Sequence, residues 1–232
     1  MLTKETLEIL KSLTALNNQM IIGNTQLGQD EFESIIFRCD LSKIDDIPEE
    51  FGIFDTSNFL MAMDLLEDPE VVLKDKVLTA KDENGTLEFL TSDISSLEDI
   101  HVDERKITTT VQIPSVLEFE FDTDLIQKIK KASSVFKAFD SLWISNNGFA
   151  GKTELKLGTK NSFGKSSNTF KINVDADLET GHEFQIALPI ESILKIPSMD
   201  YKFSVKYNKE RDTYRVVLDN ALLTFVMSLQ RD

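Results

Sequence analysis

Residues 51–66 read FGIFDTSNFLMAMDLL and carry the clearest structural signal in the chain. The first four of them, residues 51–54, form an apolar run that predicts a strand. Asp55 and the two hydroxyl residues after it are types that cap helix N-termini. The apolar repeat in residues 58–66 predicts a helix, which the sequence Glu67-Asp68-Pro69 ends. Residues 51–66 therefore predict a strand that leads through a polar helix cap into a short helix.

The rest of the first half continues this alternation of helix and strands. Residues 3–13 (TKETLEILKSL) predict a helix capped by Thr3, with leucines on one face and Lys4, Glu8 and Lys11 on the other. Further strands are predicted at residues 18–22 and 32–40, joined by a turn that contains Gly23, Asn24 and Gly28, and at residues 71–73, 77–79 and 86–91.

The second half repeats the order. A strand at residues 116–121 leads into Asp122 and then into a helix at residues 124–133, and a shorter helix at residues 190–196 stops at Pro197. Strands are predicted at residues 139–145, 153–157, 169–174, 182–188, 201–207, 213–218 and 222–229. The dominant alternation of apolar and polar residues predicts an α+β fold of two similar domains, mostly antiparallel sheet with four short helices.

Residues 92–114 (SDISSLEDIHVDERKITTTVQIP) differ from both halves, because polar residues separate widely spaced apolar ones. We interpret them as an interdomain connector in a partly extended conformation. The alternative is another edge strand followed by a loop. The predicted organisation is a first domain at residues 1–91, the connector at residues 92–114 and a second domain at residues 115–232.

Charge is distributed unevenly along the chain. The net charge is −15, and residues 1–115 hold 9 basic and 24 acidic residues, whereas residues 116–232 hold 16 of each. This asymmetry is typical of two domains with different surfaces. Affinity for phosphates scales with the number of cationic contacts, so a broad face that grips nucleic acid tightly is excluded. Any contact with nucleic acid should be local, weak or topological.

The single cysteine, Cys39, ends an apolar run and is expected to be a buried thiol rather than a nucleophile. It excludes an intramolecular disulfide and fits a reducing compartment. No apolar stretch approaches the roughly 18 residues of a membrane span, and the charged N-terminus contains no signal-peptide core. The expectation is a soluble, cytoplasmic protein without a membrane partner.

No catalytic or metal-binding motif is evident. His101 and His182 are the only imidazoles, and neither has metal-ligand spacing with the other or with Cys39. The chain lacks a G-x-S-x-G nucleophile motif. Residues 158–166 (GTKNSFGKS) approach a phosphate-binding loop but contain one residue too many, and a strand pattern follows where that loop needs a helix. We therefore expect no catalysis, no cofactor and no metal ion.

Four segments in the same order resemble the DNA polymerase sliding clamps of T-even-type phages, which are related in fold to proliferating cell nuclear antigen. They are LTKETLEILKSLTALNNQMII near the N-terminus, FGIFDTSNFLMAMDLL, FDTDLIQKIKKASSVFKAFDSLWIS in the second half, and LPIESILKIPSMDYKFSVKYN near the C-terminus. Each segment alone is mainly a hydrophobic pattern. Their joint order over most of the chain is what carries the resemblance.

The resemblance implies two similar domains per subunit and a homotrimer closed into a ring around duplex DNA. Helices would line the hole and sheets would form the outside. The implied partners are duplex DNA, bound without sequence preference, together with DNA polymerase and a clamp loader that contact the ring through short peptides. The implied setting is the cytoplasm of an infected bacterial host cell.

Matching positions imply that lysines on the helices face the duplex: Lys4, Lys11, Lys128, Lys131, Lys137 and Lys195. The helix predicted at residues 58–66 departs from this pattern, because it has no lysine. Partner peptides would contact apolar residues of the connector, namely Ile94, Leu97, Ile100 and Val102. The alternative is that these four residues are buried at a sheet edge.

Two other functions compete with the clamp. A phage structural or tail-assembly protein with two β-rich domains would share the acidic, cysteine-poor composition. A hydrolase or nucleotide-binding enzyme has only residues 158–166 in its favour.

Overall fold

A computed structural model of the chain describes residues 2–47, 49–100, 102–147, 151–159, 168–179 and 182–229, without the side chains of residues 98–100, 147, 151 and 152. The chain divides into two compact units, Met1–Glu104 and Arg105–Asp232. The division lies inside the segment 92–114 that we interpret as the connector.

The first unit contains two α-helices and several short strands. Its elements are α1 (Lys4–Leu13), β1 (Met20–Ile22), β2 (Thr25–Gln29), β3 (Ile35–Asp40), a 3-10 turn (Leu41–Lys43), β4 (Phe51–Ile53), α2 (Thr56–Met63), β5 (Glu70–Lys74), β6 (Val77–Lys81), β7 (Thr86–Leu90) and a 3-10 helix (Ile94–Ile100). Strand β1 pairs with β4, β2 pairs with β3, and β5-β6-β7 form a three-stranded sheet; every pairing is antiparallel.

The second unit is built on a larger antiparallel sheet. Helix α3 (Glu104–Gln112) begins at the division between the units. The elements that follow it are β8 (Ser115–Phe121), α4 (Thr123–Val135), β9 (Ser141–Asn147), β10 (Gly151–Gly158), β11 (Phe170–Leu178), β12 (Glu183–Pro189), α5 (Ile190–Lys195), β13 (Tyr201–Asn208), β14 (Thr213–Asp219) and β15 (Leu223–Met227). Its strands lie in the order β12-β9-β10-β11-β8-β13-β14-β15. The predicted α+β fold with mostly antiparallel sheet is confirmed.

Helix α3 corrects the interpretation of residues 92–114. We expected a partly extended connector and four helices, but this segment holds a 3-10 helix and α3, a fifth α-helix among the described residues. The run Thr108-Thr109-Thr110 favours extended structure by its β-branching. In α3, however, the hydroxyls of Thr109 and Thr110 donate to the carbonyl oxygens of Arg105 and Lys106 one turn earlier, while Ile107 is buried.

Strand β2 corrects the turn predicted between the first two strands. Gly28 lies opposite Phe37 in the β2–β3 pair. A Cβ atom at position 28 would lie 2.5 Å from Cζ of Phe37, so the glycine makes room for the ring rather than for a turn. The prediction of a turn at Gly28 was therefore wrong.

Buried aromatic and aliphatic side chains form the core of each unit. In the first, Phe59 of α2 meets Phe89 of β7 edge to face, with ring centroids 5.1 Å apart. In the second, Phe119 and Phe203 stack at 4.5 Å on neighbouring strands. Cys39 is fully buried, and desolvation raises the pKa of its thiol to about 12, which confirms the predicted inert thiol.

Candidate nucleic-acid interface

Helix α4 presents lysines on the face opposite its buried side. Leu125, Ile126 and Ile129 are buried, which fixes the rotation of the helix. Lys128 and Lys131 are consequently exposed, and neither has an ion-pair partner among the described residues. Their ammonium groups thus present uncompensated positive charge.

Helix α5 packs beside α4 and carries Lys195, the sixth of the predicted lysines. Ile190 and Ile193 are buried, and Lys195, in the last turn, is half-buried. Lys137 is exposed in the segment that follows α4. Four of the six predicted lysines therefore belong to α4, α5 or the residues just after α4, all in the second unit.

Lys130 behaves differently from its neighbours. Its Nζ donates to the carbonyl oxygen of Ile196 at 2.8 Å and to Oγ of Ser198 at 3.1 Å. Burial lowers the pKa of this ammonium group from its ordinary value. Lys130 therefore contacts the segment after α5 rather than solvent.

Two aspartates fix the N-terminus of α4. Asp122 is the cap residue and accepts from the backbone N–H of Leu125 at 2.7 Å. Asp200, distant in sequence, accepts from both the N–H and the hydroxyl of Thr123, at 2.8 and 2.9 Å. These hydrogen bonds from Thr123 lower the pKa of Asp200. The segment that follows α5 thus contacts α4 at two points.

The first unit anchors α1 in a comparable way. Thr3 caps the helix, and the buried carboxylate of Asp45 accepts from the N–H of Thr3 at 2.7 Å and from the hydroxyl of Thr6 at 2.5 Å. An aspartate far along the chain thus holds the first turn of a lysine-bearing helix in both units. This repeat was invisible in the sequence, because the two aspartates lie at different distances from their helices.

The two predicted lysines of α1 have different surroundings. Lys4 is exposed and has no ion-pair partner in the described part of the chain. Lys11 forms an ion pair with Asp64, the residue that caps the C-terminus of α2. Helix α2 has no lysine of its own, so the helical face of the first unit is less positive than that of the second.

The four residues predicted for peptide binding differ in accessibility. Leu97 and Val102 are each 1% exposed and offer no surface to a peptide, which agrees with the alternative of buried residues. Leu97 packs against Gly52, where a Cβ atom would lie 2.8 Å from its Cδ1. Ile94 is 36% exposed and lines a shallow cavity of about 190 Å³. The side chain of Ile100 lies outside the described residues.

Sequence reasoning missed a set of exposed apolar side chains. In the first unit, Met61, Leu65 and Leu90 are 61, 80 and 75% exposed. Leu65 also lines a cavity of about 700 Å³ between α1 and the end of α2, whose rim includes Asp64, Glu67 and Asp68. In the second unit, Val135 and Phe136 are exposed at the end of α4. Exposed apolar surface marks interaction sites. The sequence pattern placed Leu65 in a predicted helix without predicting that its side chain is exposed.

Of the two histidines considered in the sequence, the structure describes only His182. The ring of His182 lies 3.0 Å from the hydroxyl of Tyr214, and His101 lies outside the described residues. Residues 160–167 of the loop-like segment also lie outside them, and the element that follows is strand β11. No group of three or more potential metal ligands occurs in the part of the chain that the structure describes.

None of the described helices has the length and apolar character needed to cross a bilayer.

Two α+β units in one chain, each with lysines on an exposed helix face, are the arrangement that the resemblance to sliding clamps implies. No protein-family model matches the chain. The sliding clamp of Vibrio phage KVP40 is 31% identical over 207 residues, which cover 88% of this chain and 89% of that one. The chain therefore belongs to the sliding clamp family, the processivity factors of DNA polymerases.

Solved structures share the fold at low sequence identity. Proliferating cell nuclear antigen from Entamoeba histolytica has a TM-score of 0.68 and 13% identity, with 97% of this chain and 94% of that one covered. The Helicobacter pylori beta clamp bound to a DNA ligase peptide has a TM-score of 0.62 and 14% identity, with 98% and 65% covered. The predicted relationship to proliferating cell nuclear antigen is confirmed at the level of the fold.

Proposed function

We propose that three copies of this chain form a ring around duplex DNA and tether DNA polymerase to it without catalysing a reaction. The observation that carries this proposal is the uncompensated lysine face of α4, Lys128 and Lys131, in a protein of net charge −15. A ring holds DNA by enclosure, so its inner surface needs only weak contacts with phosphates. Such contacts carry no sequence information and permit sliding.

The duplex-facing set in this proposal is Lys4, Lys128, Lys131, Lys137 and Lys195, with Lys11 in a lesser role. The charge of Lys11 is compensated by Asp64 at 2.5 Å. An ammonium group that already has a carboxylate partner gains less from a phosphate, since the pair must be separated or must share the anion. Most of the attraction for DNA therefore arises from the second unit.

Self-association is supported by two exposed patches of opposite charge. On the first unit, Met61 and Leu65 are exposed beside Asp64, Glu67 and Asp68. On the second unit, Val135 and Phe136 are exposed beside Lys137. Two different patches on one chain that complement each other form a head-to-tail contact, and repetition of that contact closes a ring when the rotation permits.

Unpaired strand edges support the same contact. Strand β7 is the last strand of its three-stranded sheet. Strand β11 pairs with β10 along residues 170–176 but with β8 only at Asp177 and Leu178. Along the described strands, the other edges of β7 and β11 are thus available, and pairing between copies would satisfy their backbone groups. We assign this role to β7 of one copy and β11 of the next.

DNA polymerase and a clamp loader are the proposed protein partners, through short peptides. Among the described side chains of the predicted set, Ile94 is the accessible one, whereas Leu97 and Val102 are buried. The Helicobacter pylori beta clamp, whose fold this chain shares, holds a peptide of DNA ligase. The cytoplasm of an infected bacterium is the proposed location, because the clamp that matches at 31% identity is that of a phage. No observation favours a structural or tail-assembly role.

The test is retention on circular DNA combined with subunit stoichiometry. Light scattering over a wide concentration range should give a species of about three times 26.3 kDa. A clamp loader and ATP should then place the ring on a nicked circular duplex, and cutting that duplex should release it. A protein that stays monomeric throughout and is never retained on the circle would contradict the proposal.

A further inference from the structure

Of the three lysines in the sequence KIKK of α4, Lys130 is the one that contacts the segment after α5. Lys128 and Lys131 are exposed, whereas Lys130 is half-buried and donates two hydrogen bonds to the residues after α5. By sequence alone the three lysines look equivalent. The structure separates them, because Lys130 donates hydrogen bonds to Ile196 and Ser198 while Lys128 and Lys131 are exposed.

The acceptor of Lys130 shows what this contact does for α5. Ile196 is the C-cap residue of that helix, and the last carbonyl groups of a helix have no partner within it. A cation near these carbonyls satisfies them and also opposes the negative end of the helix dipole. The next carbonyl oxygen, that of Pro197, already accepts from the buried hydroxyl of Tyr201 at 3.2 Å.

The segment 196–200 is thus joined to α4 at two levels. Lys130 holds Ile196 and Ser198 near the middle of α4, and Asp200 holds Thr123 at its N-terminus. Lys195 immediately precedes this segment. Its position relative to the lysines of α4 therefore depends on the contact made by Lys130.

We propose that Lys130 is a positioning residue that caps α5 and holds Lys195 in line with Lys128 and Lys131, without touching DNA itself. The inference rests on the proposed DNA-facing role of those three lysines. Among the described residues, Nζ of Lys130 has no carboxylate within hydrogen-bonding distance. Its two acceptors are neutral, a carbonyl oxygen and a hydroxyl. This arrangement suits a cap better than an ion pair.

The first test measures the arrangement of the helices and needs no DNA. Spin labels on cysteines introduced at exposed Gln127 of α4 and exposed Glu191 of α5 report their separation, while the buried Cys39 stays unlabelled. We expect Lys130→Met to broaden or shift the distance distribution and Lys130→Arg to restore it. Lys128→Met, which removes the same charge from the same helix, is the matched control and should leave the distribution unchanged. An unchanged distribution in Lys130→Met would overturn the proposal.

The second test separates positioning from direct contact with DNA. Affinity for duplex at low salt is measured over a salt series, where each lost phosphate contact lowers the slope of log K against log salt by about 0.9. We expect Lys195→Met to lose about one contact and Lys130→Met no more than that. The double variant should lose no more than Lys195→Met alone, whereas Lys128→Met combined with Lys195→Met should lose about two.

The outcomes distinguish the positioning role of Lys130 from the proposed DNA-facing role of the lysines. Additive losses in the Lys130→Met, Lys195→Met double variant would make Lys130 an independent DNA contact and overturn the inference. If all variants bind duplex like the unmodified protein, the DNA-facing assignment fails, while the spin-label result still decides whether Lys130 positions α5.

Discussion

Nζ of Lys11 lies 2.5 Å from Oδ2 of Asp64, so the C-terminus of α2 neutralises a lysine of α1. Both side chains are more than half exposed, so the pair contributes little to stability. Its effect is on the surface potential. It leaves Lys4 as the lysine of α1 whose charge has no ion-pair partner in the described part of the chain.

Replacement of Asp64 by Asn should therefore strengthen the binding of duplex at low salt. The change frees the charge of Lys11 and removes a nearby negative charge, and the salt slope should become steeper by up to about 0.9. The free energy of unfolding should change by less than about 1 kcal/mol, because the pair is exposed. Fluorescence anisotropy over a salt series measures the first effect and urea titration the second.

The control for Asp64→Asn is Glu49→Gln, which removes an exposed charge elsewhere in the first unit. An equal gain in duplex affinity in both variants would show that only the net charge matters and would contradict the specific role of Asp64.

The double variant Lys128→Glu, Lys131→Glu should load poorly on circular DNA yet assemble normally. Two charge reversals on the exposed face of α4 replace attraction to phosphates by repulsion. Sedimentation should show unchanged assembly, and the fraction retained on nicked circles should fall several-fold. Lys209→Glu, an exposed reversal in the β13–β14 hairpin, should load normally. Normal loading of the double variant would remove both lysines from the DNA-facing set.

Leu65→Lys should weaken self-association without unfolding the subunit. The side chain is 80% exposed, so the cost to folding is within about 0.5 kcal/mol. In the proposed contact, however, the new charge would be buried against Val135 or Phe136 of the next copy. Sedimentation velocity over a concentration series should show dissociation at higher concentration than for the unmodified protein. Val72→Lys on strand β5, also an exposed apolar position, should associate normally; matching behaviour of the two variants would place the contact elsewhere.

Asp45→Ala should destabilise the protein by about 1–3 kcal/mol. The carboxylate is buried and accepts from the N–H of Thr3 and the hydroxyl of Thr6, and both donors would lose their partner. Urea unfolding measures the loss as a shift of the midpoint. Asp46→Ala, at the neighbouring position, is the comparison, and an equally small effect at both positions would contradict the capping role of Asp45.

The free energy of unfolding should fall as the pH drops from about 4 to about 2, because Asp93 takes up a proton more readily in the unfolded chain than in the folded protein. Hydrogen bonds from Lys76 and Ser95 lower the pKa of its carboxyl from 3.8 to about 2 in the folded protein. In this range the unfolded chain binds a proton that the folded chain does not, so acid favours unfolding. The contribution is fully present above pH 4. Asp93→Asn should show a shallower decline in urea titrations at pH 5, 4 and 3, and an unchanged decline would contradict the prediction.

Much of the secondary structure follows from local signals in the chain. The caps Thr3, Asp55 and Asp122 occur where side-chain types predicted them, and each accepts a hydrogen bond from the first turn of its helix. These signals are readable because a cap acts over three residues. The wide spacing of apolar residues in segment 92–114 predicts a partly extended connector. That local signal does not include the burial of Ile107 in α3, which depends on tertiary packing.

The sequence by itself determined the α+β class, the two-part organisation, the inert Cys39 and the helices that carry the lysines. It could do so because hydrophobic period and capping are properties of neighbouring residues. Only the tertiary structure distinguished Lys130 from Lys128 and Lys131, paired Lys11 with Asp64 and buried Leu97. These are contacts between residues far apart in the chain, and their partners become neighbours only when the helices and sheets pack.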